Sequence, residues 1–191
     1  LTGGATKLKV SVSDDVCVAQ CGVGQVPQYR SVSILFNNIS STNNFIHIKE
    51  ADLLNALPGF HPASLTSVSF IIDPSVTNAA GTLVLESQNL VFIPQVPANA
   101  TGPVTDLDPF DVAPGEMDPQ NIITNFQQTS STRFQYDFQS PGTDKFGGAI
   151  LAFTGTRPNL SVGNKEMVFK VPSLTGGATK LKVSVSDDVC V

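Results

Sequence analysis

Residues 174–191 read LTGGATKLKVSVSDDVCV, and residues 1–18 read the same eighteen letters. From Lys7 the copy alternates apolar and polar residues, with Leu8, Val10 and Val12 on one side and Lys9, Ser11 and Ser13 on the other. That period of two is the mark of a half-buried strand. The second copy repeats it with Leu181, Val183 and Val185. Just before the second copy, residues 167–171 (MVFKV) read as another strand, and Pro172, Ser173, Thr175, Gly176 and Gly177 carry turn chemistry. A hairpin joining 167–171 to 180–186 is the expectation. The second copy then completes a domain over residues 19–191. The first copy, 1–18, is expected to belong to a neighbouring unit or to contact one.

Internal repetition outranks other readings, because missing it mistakes the architecture. The offset between the copies is 173 residues. That is far longer than the roughly 20–50 residues of a solenoid or propeller repeat, and it suits one domain. One sandwich has one slot for this strand, so residues 5–13 and 178–186 are expected in equivalent slots of different domains. Exposed sheet edges accept donated strands. An engineered duplication is the alternative. The Ser173–Leu174 join carries no linker-like sequence, which favours natural repetition.

Outward from the copies, short strands recur between turns. They are read at 31–36 (SVSILF), 45–48 (FIHI), 67–72 (SVSFII), 133–138 (RFQYDF) and 149–153. Residues 82–85 and 90–93 look like a hairpin, and 121–126 like a helical turn. One helix is expected at 49–57 (KEADLLNAL), ended by Pro58-Gly59. The Pro-rich stretch 94–119 reads as a long loop. The predicted class is all-β: an antiparallel β-sandwich, Ig-like or jelly-roll, of about eight to ten strands with one short helix.

Charged residues make up 14% and the net charge is −5. No basic stripe is present, which disfavours nucleic acid. No 18-residue apolar run is present, so no membrane span is expected. Solubility rests on Ser, Thr, Asn and Gln, a balance that fits an extracellular or cell-surface β-protein.

Three cysteines occur, Cys17, Cys21 and Cys190, the last being the copy of Cys17. Their spacing is not that of a zinc site. A disulfide from Cys21 to Cys17 or to Cys190 is expected, as in an oxidising compartment. Sequons at Asn38, Asn99 and Asn159 are candidate glycosylation sites. The acidic loop offers Asp106, Asp108, Asp111, Glu116 and Asp118. Asp106 and Asp108 have a spacing that suits one hard cation, so Ca2+ is the candidate metal and no other cofactor is expected. A solvated acidic loop is the competing reading. Asp14-Asp15 and Asp187-Asp188 are a weaker acidic candidate at the strand exit.

Neither His47 nor His61 lies near a nucleophile motif. Gly22 and Gly24 lack the third glycine of a phosphate loop. An enzyme is therefore not expected. The functional expectation is a structural subunit or tandem repeat of an extracellular fibre or adhesin stalk, whose partners are identical copies of itself. Its assembly strand is Leu8, Val10 and Val12, with Leu181, Val183 and Val185. The alternative is a ligand- or carbohydrate-binding adhesin domain using the 94–119 loop. The absence of Trp and the presence of only two Tyr weaken a sugar platform.

Overall fold

The structure, a computed structural model, describes residues 27–94, 108–109, 112–130, 133–154, 157–161 and 165–190. Its strands are β1 (Pro27–Phe36), β2 (Phe45–Lys49), β3 (Leu65–Ile72), β4 (Gly81–Pro94), β5 (Asp108–Pro109), β6 (Val112–Met117), β7 (Ile123–Ser130), β8 (Arg133–Phe138), β9 (Gly147–Phe153), β10 (Lys165–Leu174) and β11 (Leu181–Cys190). One helix, α1 (Glu50–Ala56), follows β2. Its first turn is held by the Asp52 carboxylate, which accepts the Lys49 N–H at 2.9 Å. Leu53 is its buried residue.

Among the described residues the strands form two antiparallel sheets. One has the order β1-β11-β3-β9-β6 and the other β2-β10-β4-β8-β7, with β5 on β4. The first is called sheet A and the second sheet B. Alternation selects the faces. In β8, Phe134, Tyr136 and Phe138 are buried while Arg133 is exposed and Gln135 and Asp137 are partly so. These rings meet β3 and β10: Phe70 lies 4.8 Å from Phe169, edge-on, and 6.4 Å from Phe134 between ring centroids. The Tyr136 hydroxyl donates to the Phe70 carbonyl at 2.9 Å, tying sheet B to sheet A inside the core. Burial pushes the Tyr136 phenol well above its usual pKa.

Several expectations need correction. Residues 167–171 and 180–186 are not a hairpin. β10 pairs with β2 and β4, whereas β11 pairs with β1 and β3, so residues 175–180 carry the chain from sheet B to sheet A. Gly176 and Gly177 both sit at positive φ, 74° and 72°, where an L side chain is strained. The expected hairpin over 82–93 is one 14-residue strand, β4. Its polar middle, Glu86–Asn89, contains no Gly or Pro to turn the chain, and register shifts against β10 absorb the irregularity. Residues 121–126 form no helical turn. They enter β7, and Asn121 and Asn125 take up positive φ, with a register shift against β8 between Thr124 and Gln127. The 94–119 stretch is not all loop, since β5 and β6 lie within it.

Candidate functional site

The second copy of the duplicated segment is the middle strand of half of sheet A. β11 lies antiparallel between β1 and β3, with Val183 opposite Ile34 on one side and Phe70 on the other. Leu181, Val183 and Val185 are all 0% exposed. Burying each is worth about 1.5–3 kcal/mol. The expectation of a half-buried strand fails, however, for the opposite face: Ser184 and Ser186 are each 1% exposed. β11 is buried on both faces.

The end of the slot is closed by charge. In β1 the inward series runs Arg30, Val32, Ile34, Phe36, and in β11 it runs Leu181, Val183, Val185, Asp187. The ladder sets Arg30 opposite Asp187. Arg30 Nη2 donates to Asp187 Oδ2 at 2.8 Å and Nε to Oδ1 at 3.4 Å, the two-pronged geometry that guanidinium makes with carboxylate. The His61 backbone N–H also donates to Asp187 Oδ2, and Arg30 Nη1 donates to the Gly59 carbonyl. Asp187 therefore pins the loop after α1 as well as β1. It lies within the strand and not at its exit, and its carboxylate is spent on these donors.

The start of the slot is held by the crossing segment. The Thr175 N–H donates to the Thr82 carbonyl at 3.0 Å, and the Thr82 N–H to Thr175 Oγ1 at 2.8 Å. Thr77 Oγ1 donates to the Gly176 carbonyl at 3.1 Å, and the Ile39 N–H to the Thr179 carbonyl at 2.7 Å. Every one of these contacts is made by the second copy. A cleft of about 260 Å³ opens beside it, lined by Ile39–Ser41 and Val171–Leu174, without a titratable group in its wall.

The opposite face of sheet A carries mostly small side chains in register. Ser31, Ser186, Ser67, Ala152 and Ala113 form one row across the five strands, and Ser33, Ser184, Ser69, Ile150 and Gly115 the next. Ser33 Oγ donates to Ser184 Oγ at 3.4 Å. The Oγ atoms of Ser67, Ser69 and Ser186 are buried without a hydrogen-bond partner among the described residues.

The remaining candidates are scattered. The first copy, with Leu8, Val10, Val12 and Cys17, lies outside the described residues, as do Cys21, Asn99, Asp106 and Asp111. The Cys190 backbone ends β11 opposite Pro27. Asp108 begins β5. Glu116 is exposed on β6, while Asp118 accepts the Ile122 and Ile123 N–H groups at 2.7 and 3.0 Å. No group of three or more metal-binding side chains gathers among the described residues. Asn38 is exposed at φ 59°, and Asn159 turns its chain by accepting the Ser161 N–H at 2.9 Å.

Two further polar features lie apart from each other. His47 Nδ1 lies 3.0 Å from Oε2 of the buried Glu166, between β2 and β10. Asp73 folds the β3–β4 turn by accepting the Ser75 N–H at 2.7 Å. Burial pushes its carboxyl up, against the Ser75 hydrogen bond and the charge of Lys182 on β11. No described helix is long and apolar enough to cross a membrane. No protein-family model, curated protein or solved structure matches the chain.

Proposed function

We infer that this chain is a structural subunit or tandem repeat of an extracellular fibre or adhesin stalk, held together through its duplicated β-strand. One observation carries the reading: the segment that occurs twice is also the segment that fills a central, fully enclosed slot of sheet A. A terminal repeat of a surface strand would be inconsequential. A terminal repeat of a strand with two neighbours is a second plug for a socket that exists once per unit. The first copy then serves the unit next to it, by donation between subunits or by continuity of an array. The two sheets suit the Ig-like or jelly-roll class of sandwich used in such assemblies. An oxidised Cys21, and glycans on Asn38, Asn99 or Asn159, accord with the same extracellular setting.

Mass measured on native material, first in native buffer and then denatured and reduced, tests this reading. Donation between subunits gives a large native mass that falls to that of one short chain on denaturation, near the 20.1 kDa of these 191 residues plus any flanking segment. A continuous array stays large in both. A particle of single-chain mass in both conditions refutes the proposal. In the subunit case, Val10→Asp made with Val183→Asp should abolish assembly, because it puts a carboxylate into the apolar side of every slot.

A further inference from the structure

We propose that the slot between β1 and β3 accepts either end of its own chain, so that residues 8–17 and residues 181–190 compete for one site within a single molecule. The inference deepens the reading of the duplicated strand as the exchangeable element, and it follows from the ladder register. β11 runs antiparallel to β1, with Cys190 opposite Pro27. Put residues 8–17 in the same slot and Cys17, the counterpart of Cys190, faces Pro27. The two strands are then joined by residues 18–26, VAQCGVGQV. That is a nine-residue hairpin loop with Gly22 and Gly24 to turn it, inside the usual range of connection lengths.

Every contact of the slot would be reproduced, because the identity covers all eighteen residues. Leu8, Val10 and Val12 replace Leu181, Val183 and Val185. Asp14 takes the place of Asp187 beside Arg30 and the His61 N–H. Thr2, Gly3 and Thr6 stand where Thr175, Gly176 and Thr179 meet Thr82, Thr77 and Ile39. The occupants differ only in how they are tethered: residues 18–26 join the first to β1, and residues 175–180 join the second to β10. Closure of nine residues against six changes the odds by about twofold. Neither end owns the site by a wide margin, and whichever end is out is the one available to a neighbour. The junction between units is then reversible in direction. The shared segment can close the unit before it as β11 or open the unit after it as the partner of β1.

The test uses the full 191-residue chain, reduced, in three forms: Val10→Asp, Val183→Asp, and both together. Thermal melting reports folding, and light scattering after size exclusion reports mass. The expected pattern is that Val10→Asp melts with the parent. Val183→Asp remains a folded monomer melting within a few degrees of it, rescued by the first copy, and the double variant is unfolded. If Val183→Asp is as unfolded as the double variant, the first copy does not enter the slot and the inference is overturned, together with donation between subunits. If Val183→Asp is folded only as a dimer or larger, the within-chain inference is overturned while donation between subunits stands. Cross-linking gives a readout without a disabling charge. In chains whose Cys17, Cys21 and Cys190 are replaced by Ser, the pair Ser11→Cys with Ser33→Cys should form an intramolecular disulfide, as should Ser33→Cys with Ser184→Cys. Formation of the second alone would overturn the proposal.

Discussion

Arg30 and Asp187 are an unequal pair, and their variants should fail unequally. Asp187 is 0% exposed and Arg30 27% exposed at the side chain. Arg30→Met keeps an aliphatic stem beside β11 but leaves a buried carboxylate with only the His61 N–H. Removing one member of a buried ion pair costs about 3–5 kcal/mol. In a chain of this size that lowers the melting temperature by about 6–20 °C. Changing the carboxylate is gentler. Asn preserves the shape of Asp187, and the abandoned guanidinium reaches water and keeps the Gly59 carbonyl, so the loss should be about 1–2 kcal/mol. Because Asp14 duplicates Asp187, the change is made at both positions. The combined variant, Arg30→Met with Asp14→Asn and Asp187→Asn, removes charge from both sides. It should be less damaged than the two losses added together, by about 1–3 kcal/mol of coupling. Urea titration of the four proteins measures this, with midpoints converted at constant slope. Equal losses for the two changes, or simple additivity in the combination, would show that the pair does not hold the slot.

Tyr136 sets an alkaline limit. Its phenol titrates only when the core opens, because its folded pKa is raised above the unfolded 10.0. The stability it contributes is complete below pH 10 and is lost as the pH climbs through that value toward the folded one. The tyrosinate absorbance that Tyr136→Phe removes should therefore rise together with unfolding, and that change should cost about 1 kcal/mol at neutral pH while removing the steepness. Gly148→Ala should destabilise the protein by about 1–3 kcal/mol or more, since a Cβ there runs into the Phe70 carbonyl and the Ile71 Cα. Gly115→Ala meets only the Ile150 side chain at an ordinary 3.5 Å and should be nearly silent in the same thermal melts. A calcium ion held by the carboxylates of residues 106–118 would bind only the folded chain, so the melting temperature should climb with calcium at fixed ionic strength. Equal midpoints with calcium and with chelator would remove the ion from the account.

Strands with a clear period of two were legible in the amino-acid order. RFQYDF is β8 residue for residue, and KLKVSVS lies within the copy that becomes β11. The helix was legible too, because Pro58-Gly59 stops it. What a local pattern could not disclose was which sheet a strand joins. Residues 167–171 and 180–186 have the turn chemistry of a hairpin, yet the paired glycines at positive φ send them to opposite layers. The both-sided burial of β11 was equally hidden, because Ser184 and Ser186 alternate with the apolar residues as solvent-facing positions do, yet each is 1% exposed. One clue to the Arg30–Asp187 pair does lie in the amino-acid order. Two alternating strands, Arg30-Val32-Ile34-Phe36 and Leu181-Val183-Val185-Asp187, each place one charge in line with the apolar face, and the charges are opposite in sign. Their 157-residue separation is what conceals the match.

The place of β11 also sets an order of events during synthesis. The ribosome delivers β1 and β3 first and β11 last, yet β11 lies between them. Until residues 181–190 emerge, the two earlier strands cannot complete their ladders with this partner. Unless residues 8–17 enter the slot first, they face each other with rows of unsatisfied N–H and C=O groups across a gap one strand wide. Pairings that span most of the chain are slow to form and leave such edges open to wrong partners. A nascent unit whose slot is still unfilled is thus most vulnerable just before its last strand leaves the exit tunnel. Crowded polysomes making this chain are where strand exchange between molecules would have its earliest opportunity.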